Sequence, residues 1–515
     1  MEQTTWNDNL QQQAKKVQVG IFWAISDKAF KQSLLEFRKS YYVSEADCNG
    51  FVNYPYSHYE VWEDEVKGLG DDCYKYPRGR VLYDVNANRY RIFADECVLP
   101  SIIDEVVELF DIENFELCRD EHYVCATCQR KQSQSNATLQ YNVLRGQNKI
   151  GENLIEVSYG DTKILVELGK ALDGADEAFE QELLQRQYSA VVVSHYHEDH
   201  AGLIKYQRNC PVYVGVGACR ILKAMLEFHG EELSKNVKTY RNARPLRIGG
   251  ITITPFLCDH SAFDSYMLLF EAGGKSILYT GDFRFHGRKD KDKLLTALPT
   301  RVDVLIHEGT NLGKNSCVMT EAELEQKATE IMRVTNGPVF VLQSGTNIDR
   351  LVSIYRASKR SGRITYVDNY VALIASAVGG RVPRPDVFSD VIAFTPRPVF
   401  GKRKDMFLEI QNKRGLNGIA KGTKQFTMLV RSTMLDYLKR LLATVDIKEA
   451  TLIYSMWLGY KEDEQMALFL TELQALGLKV IDLHTSGHAS SEDIELLKQR
   501  VAATQTVCVH TEFCG

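Results

Sequence analysis

The run Ser194-His195-Tyr196-His197-Glu198-Asp199-His200-Ala201-Gly202, of the form H-x-H-x-D-H, constrains this chain more than any other stretch. Three imidazoles and a carboxylate fall within six residues, directly after the apolar run Ala190-Val191-Val192-Val193. Such a run predicts a buried strand, so the cluster sits at a strand exit, where side chains can converge on a cleft. Imidazole with carboxylate is a donor set that suits Zn²⁺. His195 and His197 fall on the same side of an extended chain and can share one ion, while Asp199 and His200, past the bend, can serve a second. Two ions about 4 Å apart make a clamp for in-line displacement. Ordinary packing or surface exposure accounts for isolated histidines such as His58, His122, His229, His286 and His307, but not for three among six residues followed by Ala-Gly and Leu203-Ile204.

This motif resembles the signature of the metallo-β-lactamase fold, an αββα sandwich with a dinuclear site at one edge. Further along, Cys258-Asp259-His260-Ser261 and Thr280-Gly281-Asp282-Phe283 resemble the third and fourth metal motifs of that fold, in the order and spacing it requires. The predicted strand Val302–Ile306 leads to His307-Glu308-Gly309-Thr310-Asn311. A long insertion then precedes Thr485-Ser486-Gly487-His488-Ala489-Ser490 and Val507-Cys508-Val509-His510. These features resemble the β-CASP branch, the nucleases typified by ribonuclease J, over residues 140–515. The resemblance implies that His195, His197 and His260 hold one ion, that Asp199, His200 and His510 hold the other, and that Asp282 bridges both. It further implies that His488 contacts the scissile phosphate or assists the leaving oxygen, and that Glu308 orients the metal loop. In the family an Asp ends the strand before the metal loop; here that position holds Glu167.

The expected fold class is therefore α/β: a metallo-β-lactamase αββα sandwich with an inserted α/β β-CASP domain and an unrecognised α+β N-terminal domain. The expected boundaries are 1–135 for the N-terminal domain, 136–312 and 481–515 for the two parts of the sandwich, and 313–480 for the insertion. A chain of 515 residues is long enough for several such units. In the first, residues 79–84 and 90–94 predict a hairpin, residues 102–110 a capped helix, and Phe51–Trp62 an aromatic cluster. Asn153–Tyr159 and Thr162–Leu168 predict a hairpin around Gly160-Asp161. In the insertion, Pro338–Leu342 predicts a buried strand that turns at Ser344 into a helix over 348–361 carrying Arg350, Arg356, Lys359 and Arg360. That turn can bind a phosphate or simply cap the helix.

Charge is distributed unevenly. Residues 1–135 carry 15 basic and 23 acidic side chains, whereas residues 313–480 carry 24 and 17, although the whole chain has a net charge of −5. A basic insertion in an otherwise acidic chain points to a phosphate-facing surface, with Lys402, Arg403 and Lys404 at its most basic point. Ser486 and Ser490 are further candidates for holding a phosphate, and Tyr454–Tyr460 offers aromatic rings that stack bases or fill a core. The acidic N-terminal unit is a candidate surface for a protein partner. The twelve cysteines lack framework spacing and read as reduced thiols; Cys125-x-x-Cys128 with His122 falls one ligand short of a zinc finger. No run of 18 apolar residues occurs and Met1–Thr5 does not open like a leader, so the expectation is a cytoplasmic protein without a membrane span.

The function expected from the resemblance is a zinc-dependent ribonuclease with two ions, Mn²⁺ or Mg²⁺ being alternative metals. His510 favours RNA, because branches acting on DNA tend to have Val at that position. The alternatives are a DNA-acting or small-molecule hydrolase of the same superfamily, for which the insertion is unneeded in the small-molecule case, and a non-catalytic assembly protein.

Overall fold

The computed structural model describes residues 137–515 except 172–173, 175, 314–317, 398–407, 409, 411, 423, 446–448 and 513–515, together with the backbone of five earlier strands. The chain separates into two compact units, Met1–Asn136 and Ala137–Gly515. In the first, the five strands form an antiparallel sheet in the order Val17–Val19, Gly79–Asp84, Arg89–Ala94, Val124–Arg130, Ile112–Arg119. The hairpin expected over residues 79–94 is present, with Asp84 opposite Arg89. The helix expected over 102–110, the aromatic cluster of Phe51–Trp62 and the side chains of Cys125 and Cys128 lie outside the described residues.

Two six-stranded sheets form the centre of the second unit. One runs Val237–Tyr240, Val212–Gly215, Ala190–Val192, Thr162–Val166, Leu154–Tyr159, Gln140–Arg145; the other runs Leu246–Ile248, Ile251–Cys258, Ser265–Ala272, Lys275–Tyr279, Val304–Glu308, Gln505–Val509. Alternation along the strands explains why they stack. Ile155, Val157, Ile164, Val166 and Val192 of the first sheet pack against Ile253, Leu268, Phe270, Ile277 and Ile306 of the second. The intervening residues Leu154, Leu165 and Val191 point to the opposite face and meet the helix Val216–His229 through Ala218, Ile221 and Leu222. On the far side, Met267, Leu269, Leu278 and Leu305 meet the helices Lys291–Ala297 and Ser491–Val501 through Leu294, Ile494 and Leu497. The layers are therefore α, β, β, α.

A third sheet, all parallel, has the order Val391–Phe394, Ile364–Asp368, Phe426–Val430, Val339–Leu342, Thr451–Tyr454, Lys479–Asp482. Its central strands Phe426–Val430, Val339–Leu342 and Thr451–Tyr454 are buried on both faces and correspondingly apolar, while the edge strand Lys479–Asp482 is partly exposed. One face packs on Leu435–Leu442 and Glu464–Ala475. The other packs on Glu321–Val334, Ile348–Arg360 and Asn369–Val378, and that helix layer is continuous with the outer helix of the sandwich. Phe228 and Tyr370 mark the join, edge to face at 4.8 Å. Among the described residues no helix is long and apolar enough to cross a membrane, and Cys210, Cys219, Cys258 and Cys508 are free thiols.

Candidate metal centre

Every residue of the cluster comes from the end of a strand or the loop that follows one. The strand Ala190–Val192 delivers His195 and His197 in extended chain, and the short helix Glu198–Ala201 then turns Asp199 and His200 back. His260 follows Ile251–Cys258, Asp282 follows Lys275–Tyr279 across Gly281, Glu308 closes Val304–Glu308, and His510 follows Gln505–Val509. Gly281 has φ +52° and a side chain there would collide with Ser194, so glycine is needed for Asp282 to approach the histidine loop. His488 stands in the loop before the helix Ser491–Val501.

Ligand atoms converge in three groups that share Asp282: His195, His197, His260 and Asp282; Asp199, His200, Asp282 and His510; and Asp282, Glu308, His488 and His510. Asp282 Oδ2 lies 3.8 Å from His195 Nε2, 3.7 Å from His260 Nε2 and 3.3 Å from His200 Nε2. Asp199 Oδ2 lies 2.9 Å from His510 Nε2 and 3.6 Å from His200 Nε2. His195 Nε2 and both carboxylate oxygens of Asp282 are buried without a hydrogen-bond partner. Leaving such atoms unpaired is costly. A cation placed among these donors satisfies them together, so the residues fit the divalent metals that the fold implies.

The electrostatics agree. Burial pushes His195 and His260 well below the usual imidazole value and His197 down to about 4, which keeps them neutral. Burial alone would raise Asp199 and Asp282, but the neighbouring imidazoles hold both carboxyls below their ordinary value. For His200 and His488 burial is likewise opposed, by Asp282 first for His200 and by Glu308 first for His488. His200 is raised well above its usual value and His488 to about 9. The neutral imidazoles of His195, His197 and His260 beside the ionised carboxylates of Asp199 and Asp282 make the environment of a cation site.

Around this cluster, a further layer of hydrogen bonds and close charge pairs sets the rings. Glu167 Oε2 accepts from the Ser194 backbone N–H at 3.1 Å, and its Oε1 lies 3.3 Å from His200 Nδ1. The longer carboxylate thus reaches the metal loop from the strand that the family ends in Asp. His260 Nδ1 donates to the carbonyl of Gly487 at 2.6 Å, which leaves Nε2 free for the cluster. Glu308 Oε1 accepts from the backbone N–H of Phe283 at 2.8 Å and of Ala489 at 3.3 Å, while Oε2 lies 3.0 Å from His488 Nδ1. Although Glu308 also approaches Asp282 and His510, its oxygens are already engaged.

Several contributors carry no recognisable signature in the sequence. Thr310 Oγ1 lies 2.8 Å from His510 Nδ1, and Asn311 Nδ2 donates to the carbonyls of His488 and Ala489. Their only signal is adjacency to Glu308. Asn153 Nδ2 lies 3.1 Å from His200 Nε2. A buried ion network lies behind the site. Arg284 donates to Asp259 at 2.7 Å and to the Ser486 carbonyl at 2.9 Å, and pairs with Glu321 at 3.4 Å; Arg350 pairs with Glu321 at 3.0 Å and donates to the Thr485 carbonyl at 3.2 Å.

The phosphate candidates fare differently. Ser490 is the N-cap of Ser491–Val501 in a capping box with Asp493. The Ser486 hydroxyl accepts from the backbone of His488 and from Asn311. Ser344 is exposed with its hydroxyl 3.0 Å from that of Thr346, and Asn347, not Ser344, caps the following helix. Of that helix's four basic residues, Arg350 is fully buried against Glu321, while Arg356, Lys359 and Arg360 are exposed and pair with Glu325 and Asp390. Lys402, Arg403 and Lys404 lie outside the described residues.

Comparison with known proteins gives a consistent placement. A family model described as "Beta-lactamase superfamily domain" matches residues 172–342. The chain is 22% identical over 398 residues to Ribonuclease J 1 of Streptococcus pyogenes, covering 72% of this chain and 68% of that protein. It is 27% identical over 246 residues to Ribonuclease J of Mycobacterium tuberculosis, covering 44% and 43% respectively. Over 432 residues it is 25% identical to Transcription termination factor FttA of Lokiarchaeum sp., covering 73% and 66%. In fold it matches a solved protein of unknown function from Enterococcus faecalis V583, with a TM-score of 0.58, 20% identity and coverage of 73% of this chain and 94% of that one. With the αββα layers, the inserted parallel sheet and the ordered metal motifs, these matches show a β-lactamase-superfamily domain over residues 172–342 in a chain that is similar to the ribonuclease J proteins.

Proposed function

We propose that this protein is a ribonuclease that hydrolyses RNA phosphodiester bonds with two zinc ions. The observation that carries the reading is the first two of the ligand groups sharing Asp282, with His488 fixed beside them by Glu308. A metal-dependent hydrolase needs that combination, whereas a non-catalytic assembly protein has no use for it. His195, His197 and His260 would hold one ion, Asp199, His200 and His510 the other, and Asp282 both. Bound there, the ions supply Lewis-acid charge for the phosphate and an acidified water.

The remaining roles belong to the protein. Glu167 holds the ring of His200 and the backbone of Ser194, which keeps the histidine loop in position. Burial of the three histidines excludes water and maintains neutral imidazoles. His488, held through Nδ1 by Glu308 and only partly exposed, is placed to hold a phosphate oxygen or deliver a proton to the leaving oxygen. RNA is favoured over DNA by His510 and by the relatives named ribonuclease J.

The test combines metal analysis with cleavage of labelled RNA and DNA of one sequence. About two zinc per chain with hydrolysis of RNA supports the reading. Metal-free protein without hydrolysis supports an assembly role, and preference for DNA supports the DNA-acting alternative. Products from 5′-monophosphate and 5′-triphosphate RNA then separate internal cleavage from 5′-exonucleolytic removal.

A further inference from the structure

The strands of the inserted parallel sheet end on one edge, where open α/β sheets bind ligands. Two loops of that edge are tied into the metal centre. In the loop after Val339–Leu342, the Thr346 carbonyl accepts from the hydroxyl of Tyr196, which stands between His195 and His197, at 2.9 Å. In the loop after Thr451–Tyr454, the Ser455 carbonyl accepts from Arg350 of the buried network at 3.2 Å. This second loop continues into Trp457 and the short 3-10 helix Leu458–Glu462.

Trp457 and Tyr460 are 58% and 49% exposed, while the ring of Tyr454 is buried. The exposed pair meets edge to face with centroids 5.4 Å apart. The indole is held in place although solvent reaches it. A side chain at Gly459 would collide with it, so the ring lies against bare backbone, and the Tyr454 hydroxyl donates to the Trp457 carbonyl at 2.9 Å.

We propose that Trp457 and Tyr460 form a base-stacking platform for a single RNA strand whose phosphodiester lies at the metal centre. The proposal rests on the ribonuclease reading. A fixed, exposed aromatic pair matches this ligand, because every base has a π-face and stacking needs no sequence. The exposed patch of Trp457, Leu458 and Tyr460 is too small for a stable protein interface, which takes some 20–30 residues on each side. Pre-positioned rings lose little side-chain freedom when a base arrives.

The test is binding of a fluorescein-labelled, cleavage-resistant 2′-O-methyl oligoribonucleotide, as a single strand and as a duplex, to the zinc-loaded full chain. Trp457→Ala is expected to weaken single-strand binding about 10-fold, as loss of one stacked base should, with duplex binding unaffected. Trp457→Phe should restore much of the loss. Circular dichroism and zinc content check that the variants are folded and loaded. Unchanged single-strand affinity in both Trp457→Ala and Tyr460→Ala, in a protein whose wild type cleaves RNA, overturns the platform and leaves the ribonuclease reading intact. Equal weakening of single-strand and duplex binding overturns the platform as well. A wild type that neither binds nor cleaves RNA overturns the ribonuclease reading and the platform with it.

Discussion

Asp282 is shared by all three ligand groups, and neither of its buried carboxylate oxygens has a hydrogen-bond partner. Asp282→Ala is therefore expected to abolish hydrolysis and lower bound metal, since two cations would then face one another without shared negative charge. Metal analysis and an activity assay check this; full zinc with normal cleavage would contradict a shared carboxylate. His488→Ala should behave differently, retaining metal while turnover falls roughly 10²–10⁴-fold, the range for a positioned acid or base. Loss of zinc in that variant would make His488 a ligand. Glu167 adopts φ 67°, a conformation that non-glycine residues rarely hold, and in it reaches both Ser194 and His200. Glu167→Ala is expected to weaken zinc binding by about 10–100-fold, as removal of an outer carboxylate that supports a ligand does. A competition titration with a chelator measures it. Residue identity at these positions is legible because their chemistry is uncommon in sequence. Thr310, Asn311 and Asn153 are not, since a threonine or asparagine has many ordinary uses and only the fold brings these to a metal ligand.

Elements carry the next level. Strand ends supply the ligands, but the helices Glu321–Val334 and Ile348–Arg360 of the insertion reach back to the site through Glu321 and Arg350. Burial alone would raise the Glu321 pKa; Arg350 first and then Arg284 bring it down to about 2. A carboxyl depressed from 4.5 gives stability that is present above about pH 4.5 and is lost as pH falls toward 2. Glu321→Ala should accordingly cost about 3–5 kcal/mol at neutral pH, because two buried guanidinium groups lose a shared partner. Chemical denaturation at pH 7 and at pH 3 checks this, and a smaller difference between variant and wild type is expected at the lower pH. In the sequence Arg350 is one of four basic residues on its helix, and helical position alone does not say which faces solvent and which a buried glutamate.

At the scale of the whole molecule, the basic balance of residues 313–480 is the feature most dependent on tertiary context. Part of it is taken up by internal ion pairs, as at Arg356, Lys359 and Arg360. Joint replacement of Lys402, Arg403 and Lys404 by Ala tests the rest: RNA affinity should fall, and the slope of log affinity against log salt should lose about 0.7 for each lost single-strand phosphate contact. Affinity and slope equal to wild type would assign the stretch to solvated surface. The order of the metal motifs, the hairpin at Gly160-Asp161 and the apolar strands of the insertion were set by sequence alone, because each depends on neighbours a few residues apart. The joining of the insertion's helix layer to the outer helix of the sandwich was decided only in three dimensions, as was the buried network between Asp259, Glu321 and the His488 loop. So was the exposure of Trp457 beside the burial of Tyr454. In each case the outcome depends on which distant surfaces exclude water from one another: Glu308 and Val509 lie side by side only because the last strand returns to pair with Val304–Glu308.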